Sequence, residues 1–277
     1  MIAVAHGSRD PRAAATVNEL VSLVRSRAAA PIDVRVAFLD HCAPSLPQVL
    51  GSLGSPGPGS PGPGGCVVVP LLLTAAYHSK ADIPARLAGA GAAAARLDIG
   101  VSPTLGPHPL LLAALERRLR EAGVGADDRA STAVVLAAAG SSDPAANATI
   151  ADLAAAWQRD GGWHAVVPAY ASAATPSPAE AVSALLRGGA PRVVVATYLL
   201  APGHFADKIR ASAAGAGASA VSAALGAAPE VADVILARYA AASRGLSGLA
   251  GPAGLSGRTI DCDQSPVLRG TAGASHR

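Results

Sequence analysis

Residues 1–15 read MIAVAHGSRDPRAAA: a short apolar run ends on His6, a Gly-Ser-Arg-Asp-Pro turn follows, and an alanine-rich helical pattern begins. Residues 132–148, TAVVLAAAGSSDPAANA, repeat that arrangement with Ala139 in the histidine's place. The match extends outward from both turns. AHGSRDPRAAATVNEL (5–20) faces AAGSSDPAANATIADL (138–153), and AFLDHCAPSLPQVL (37–50) faces AYASAATPSPAEAV (169–182). VVVPLLLTAAYHSKADI (67–83) faces VVVATYLLAPGHFADKI (193–209), and TLGPHPLLLAAL (104–115) faces AALGAAPEVADVIL (223–236). His78 therefore corresponds to His204, Asp40 to Ser172 and His108 to Ala228. The period is too long for a solenoid and means two similar domains of ordinary size. A repeat that keeps its scaffold and drops one histidine predicts one working site between two copies.

Apolar runs at 1–5, 32–38, 66–73 and 98–102 read as strands, and runs at 132–138, 164–169, 192–199 and 218–223 read likewise in the second copy. Val67–Val69 and Val193–Val195 are continuous β-branched runs, the mark of strands covered on both faces. Alanine-rich helical stretches separate the strands. The fold class is therefore α/β: two similar domains related by internal duplication, each a mostly parallel sheet flanked by helices. The domains are expected over 1–124 and 131–242, with a linker near 122–131. The Gly/Pro/Ser stretch 51–65 reads as an exposed loop, and 243–277, without periodicity, as a disordered tail.

Composition excludes several classes. With 3% aromatic residues and a net charge of +3, the chain lacks the stacking platforms and the charge of a nucleic-acid binder. No apolar run approaches the roughly 20 residues of a membrane span, and no signal-peptide pattern opens the chain, so a soluble cytoplasmic protein is expected. Cys42, Cys66 and Cys262 form no C-x-x-C pair, which leaves neither a zinc knuckle nor an iron–sulfur cluster written locally. They read as reduced structural thiols.

His6 and His78 both end predicted parallel strands, the edge at which open α/β sheets bind ligands. Across a pseudo-twofold cleft they would face His204. Paired neutral imidazoles suit divalent iron, cobalt or nickel and accept protons near neutral pH. Asp40, ending the second strand, places a carboxylate on the same edge. The chain's two lysines, Lys80 and Lys208, each lie within four residues of a repeat-related histidine, as a site for an anionic ligand would require. The HGSRDP turn could instead hold a phosphate on free backbone amides, although no Walker or dinucleotide glycine pattern is present.

These segments together resemble the CbiX/SirB family of sirohydrochlorin chelatases, in the class II chelatase superfamily and in its long two-repeat form. The resemblance rests on AHGSRDPRA, FLDHCAPSLPQVL, VPLLLTAAYHSKADIP and LGPHPLLL and covers about residues 1–242. It implies ATP-independent insertion of Fe²⁺ or Co²⁺ into sirohydrochlorin, toward sirohaem or cobalamin. His6 and His78 take the family's metal-binding and proton-accepting roles, and Asp40 stands where a glutamate is expected. Arg9, Ser8, Lys80, His108, His204 and Lys208 are then candidates for substrate contact. The metal is a substrate, no tightly bound cofactor is implied, and one chain supplies both lobes, so a monomer suffices. The alternative reading is a non-catalytic tetrapyrrole or metal carrier on the same scaffold.

Overall fold

The computed structural model describes residues 1–53, 65–75, 82–91 and 97–246. The first copy runs β1 (Ile2–Ala5), α1 (Pro11–Arg27), β2 (Arg35–Phe38), α2 (Leu46–Leu53), β3 (Gly65–Pro70), α3 (Ile83–Gly89), β4 (Asp98–Val101) and α4 (Pro109–Glu121). The second runs β5 (Thr132–Ala138), α5 (Pro144–Gly161), β6 (Ala165–Tyr170), α6 (Pro178–Arg187), β7 (Arg192–Tyr198), α7 (His204–Gly215), β8 (Ala220–Val221) and α8 (Pro229–Ser243). Each copy forms a parallel four-stranded sheet, in the orders β2-β1-β3-β4 and β6-β5-β7-β8. The expected two-sheet α/β architecture is present. In register, Ala3 pairs with Val36 and Val69, as Val134 does with Val166 and Val194.

Local chemistry sets the helix starts. The Asp10 carboxylate accepts from the Arg12 amide at 2.9 Å, and Asp143 accepts from Ala145 at 3.0 Å. A proline, preset for the helix and without an amide to satisfy, follows each cap.

The two sheets share their principal core. Strand residues alternate between faces, so Ala3, Ala5, Val67 and Val69 point inward while Ile2, Val4 and Val68 point outward. The outer faces bury separate clusters, one around Leu50 and Ile83, the other around Val182 and Ile209. The inner faces meet in a single cluster that joins Leu20, Val24 and Val69 to Leu136, Val194 and Ile235. Helix α8, last of the second copy, packs on β3 and β4 of the first sheet beside α1 and α4, and α4 in turn reaches β7. Sequence repeat and packing unit therefore differ: the terminal helices are exchanged.

Ion pairs decorate that exchange, Arg27 to Asp233 at 2.7 Å and Arg117 to Glu230 at 2.6 Å. Exposed pairs such as Arg27–Asp233 contribute ~0–1 kcal/mol, whereas each buried Val, Leu or Ile side chain contributes ~1.5–3 kcal/mol, so apolar burial dominates. The linker is pinned as well. Arg129 stacks over Trp163 at 5.1 Å and pairs with Glu116 at 2.9 Å, and Glu116 also accepts from the Trp157 indole at 3.1 Å.

Ser243 and Leu246, expected in the tail, pack on the fold. Ser243 is buried and closes α8 by donating to Tyr239 O at 2.8 Å, and Leu246 packs over Gly100 of β4. Residues 247–277, Cys262 among them, and most of the loop expected at 51–65 lie outside the described residues. No described helix is long and apolar enough to cross a membrane.

Candidate functional site

A cavity of about 790 Å³ lies between the C-terminal edges of the two sheets, within the size range of small-molecule sites. Ala5 to Arg9, His41 and Leu71 to Thr74 line it from the first copy. Ala138 to Ser142, Ser172, Ala173 and Leu199 to Ala206 line it from the second. The floor is tied across the copies by Tyr198, whose hydroxyl donates to Leu73 O at 3.3 Å. Burial pushes the Tyr198 phenol above its usual range, so it stays neutral there.

The turn that carries His6 is held by backbone contact with the end of β2. Asp40 N donates to His6 O at 2.8 Å. Gly7 has φ 90°, and a Cβ on it would stand 1.8 Å from Asp40 O, so only glycine fits. The second copy keeps this geometry: Ser172 N donates to Ala139 O at 2.9 Å, and a Cβ on Gly140 would stand 1.9 Å from Ser172 O. The side-chain locks differ. In the first copy the Cys42 thiol donates to Ser8 O at 3.1 Å. In the second, the Asn147 amide clamps Ser141, accepting from its N at 3.0 Å and donating to its O at 2.7 Å.

The CbiX family model matches residues 1–122 and 133–242 of the chain. The chain belongs to the CbiX family. It is 29% identical over 201 residues to a sirohydrochlorin cobaltochelatase of Priestia megaterium, a match covering 72% of this chain and 63%, less than two thirds, of that protein. It is 27% identical over 207 residues to a sirohydrochlorin ferrochelatase of the same organism, covering 75% of each. Among solved structures, SirB from Bacillus subtilis with Fe³⁺ superposes with a TM-score of 0.73 at 24% identity, covering 86% of this chain and 92% of that one. This last likeness is one of fold.

In this CbiX-family chain, His6, Ser8, Arg9 and His204 all line the cavity. His6, Arg9 and His204 are exposed to it rather than packed in the core. His204 opens helix α7 just after Gly203, its ring 5.6 Å from that of Phe205. His78 and Lys80 lie outside the described residues. The remaining candidates stand elsewhere. Asp40 is not in the lining; its carboxylate is exposed and lies 3.5 Å from the Arg86 guanidinium. Lys208 donates to Ala171 O at 2.6 Å, which ties it to the end of β6. His108 caps α4, its Nδ1 accepting from Leu110 N at 3.2 Å, and lies outside the cavity lining. Burial, with the Arg238 charge second, lowers its pKa, so the neutral ring that can cap is favoured.

Sequence reasoning gave His41 no role, yet His41 lines the cavity. It follows Asp40 with φ 61°, as Ala173 follows Ser172 with φ 58°. The signal was available: β2 is also expected to end at the ligand edge, and an imidazole follows Asp40 there. Among the described residues no group of three or more His, Cys, Asp or Glu side chains is gathered for a metal ion.

An ion-pair cluster also joins the two lobes next to the lining segments. Arg12 pairs with Asp10 and with Asp207 of α7, each at 2.6 Å. Its hydrogen bonds hold the Asp10 carboxyl below the usual carboxylate range. The cavity thus joins exposed imidazoles, the Arg9 turn and apolar walls of small residues, an arrangement able to accept protons from a bulky anionic ligand.

Proposed function

We propose that this chain is a sirohydrochlorin chelatase, inserting Fe²⁺ or Co²⁺ into sirohydrochlorin without ATP, in the cytoplasm and as a single chain. One observation carries the reading: His6 stands at the C-terminal end of β1, exposed to a cavity walled by both copies, in a chain of the CbiX family. Relatives named for cobalt and for iron both lie at similar identity, which supports the reaction class and leaves either metal as substrate.

Metallation places a dication at the ring centre and releases two pyrrole N–H protons. His6 would take one proton on its imidazole and help to strip water from the entering cation, with His78 the second base and ligand. Arg9, on the cavity wall, would attract the carboxylates of sirohydrochlorin, and Ser8 can hydrogen-bond to them. His204, facing from the second lobe, would contact the macrocycle. Asp40 and Lys208, outside the cavity lining, would act by charge rather than by contact, and Lys80 would attract the substrate's carboxylates.

The test is to mix purified protein with sirohydrochlorin and Co²⁺ or Fe²⁺ anaerobically and follow the absorption spectrum. Repeated turnover is expected. A spectral change that stops at one equivalent would instead make the chain a carrier.

A further inference from the structure

We propose that Phe205 is an aromatic platform on the second lobe, against which the tetrapyrrole ring stacks. The proposal rests on the chelatase reading above and adds a residue to it. Phe205 is one of two phenylalanines in the chain, and 3% of residues are aromatic. Both reach the cavity lining, but Phe38 belongs to the first copy and is buried, whereas Phe205 is 40% exposed on the second. Its place in α7 explains the exposure. Residues 205, 209 and 213 follow at intervals of four on one helix face, and Ile209 and Ala213 are fully buried against the outer face of the second sheet. Phe205 heads the same apolar stripe but stands one turn beyond the sheet, where the cavity replaces the core. Its ring lies 5.6 Å from that of His204, centre to centre, and is tilted from it by 57°. With 40% of its surface exposed, Phe205 offers ring surface to a flat ligand.

The repeat points the same way. Phe205 corresponds to Ser79 in the first copy, just as Ala139 and Ser172 correspond to His6 and Asp40. The second lobe has small residues at two positions where the first carries titratable ones, and an aromatic ring where the first carries a hydroxyl. A conjugated macrocycle held with one face toward the imidazole of His6 needs support on the other, and stacked aromatic rings supply it without any charge to desolvate. The lobes therefore divide the work: the first handles metal and protons, the second holds the ring.

The experiment titrates metal-free sirohydrochlorin into wild type, Phe205→Ala, Phe205→Leu and Phe205→Trp under nitrogen, following the absorption band, and then measures Co²⁺ insertion. Phe205→Ala is expected to weaken binding roughly tenfold, within the loss seen when stacking side chains are truncated. KM should rise by a similar factor while kcat at saturation stays within about twofold, the pattern of an interaction made equally in ground and transition states. Phe205→Trp should restore binding and the band position; Phe205→Leu, with bulk but no ring, should not. Binding by Phe205→Ala as tight as wild type, or rescue by leucine equal to that by tryptophan, would overturn the proposal alone. A wild-type chain that binds no tetrapyrrole would overturn the chelatase reading and this proposal together. Should Phe205→Ala lose its fold by circular dichroism, the leucine and tryptophan pair decides the question.

Discussion

Gly7 and Asp40 are in direct backbone contact: a Cβ on Gly7 would stand 1.8 Å from the Asp40 carbonyl oxygen, and Asp40 N donates to the carbonyl of the neighbouring His6. The position of the His6 turn is thus set by the end of β2. Gly7→Ala must push the turn away and adopt an unfavourable φ, at a cost of ~1–3 kcal/mol. Gly140→Ala meets the same clash with Ser172 O in the second lobe. Both variants are expected to melt at lower temperature, but Gly7→Ala should lose far more metallation activity, because only its turn carries a histidine. Equal activity losses would show that the two turns serve the site alike.

The histidines give a graded series. His6→Ala and His78→Ala should each lower metallation by ~10²-fold or more, the scale of a lost acid–base group. His204→Ala should cost less, since the second lobe has Ala139 and Ser172 where the first has His6 and Asp40. Parallel anaerobic assays, with folding checked by circular dichroism, measure all three. If His204→Ala is the most damaging, the chemistry belongs to the second lobe.

The duplication was legible because both copies keep the residues that dictate local structure: Gly7 and Gly140 at the close approach, Asp10 and Asp143 as caps, and prolines after them. Strand ends follow from the β-branched runs, and the ligand edge follows from parallel pairing. The exchange of α4 and α8 was not legible. An amphipathic helix shows in its sequence that it buries a face, not which sheet receives it. Likewise His108 looked like a partner of the site because it disappears in the second copy; there Ala228 opens α8 without a side-chain cap, so the difference concerns a helix start.

His108 should make stability depend on pH. Its pKa is lowered in the fold from an ordinary histidine's 6.5, so the unfolded chain binds the proton more readily. Its contribution is complete above pH 6.5 and is lost as pH falls through the lower folded value. The melting temperature should therefore drop on acidification below 6.5, and by less in His108→Asn, which keeps a capping oxygen without titrating there. Superimposable melting curves for the two proteins between pH 7 and 5 would remove His108 from the account.

The exchanged helices make a prediction about the whole chain. Helix α8 covers β3 and β4, and Val231, Val234 and Ile235 are fully buried in the core that both copies share. A chain ending after Ala228 would leave β3 and β4 without the helix that covers them on the inner face of the first sheet. Losing three such side chains at ~1.5–3 kcal/mol each approaches the entire ~5–15 kcal/mol by which a domain is stable. That truncation, and residues 1–124 expressed alone, should fail to melt cooperatively in calorimetry. A chain ending after Leu246 keeps α8 and the packing of Leu246 over Gly100, and should melt like the full protein. Co-expressing 1–124 with 125–246 should restore the transition, because each piece supplies the helix that the other's sheet lacks. Cooperative melting of 1–124 by itself would show that its sheet is covered without α8, and that the repeats are independent domains after all.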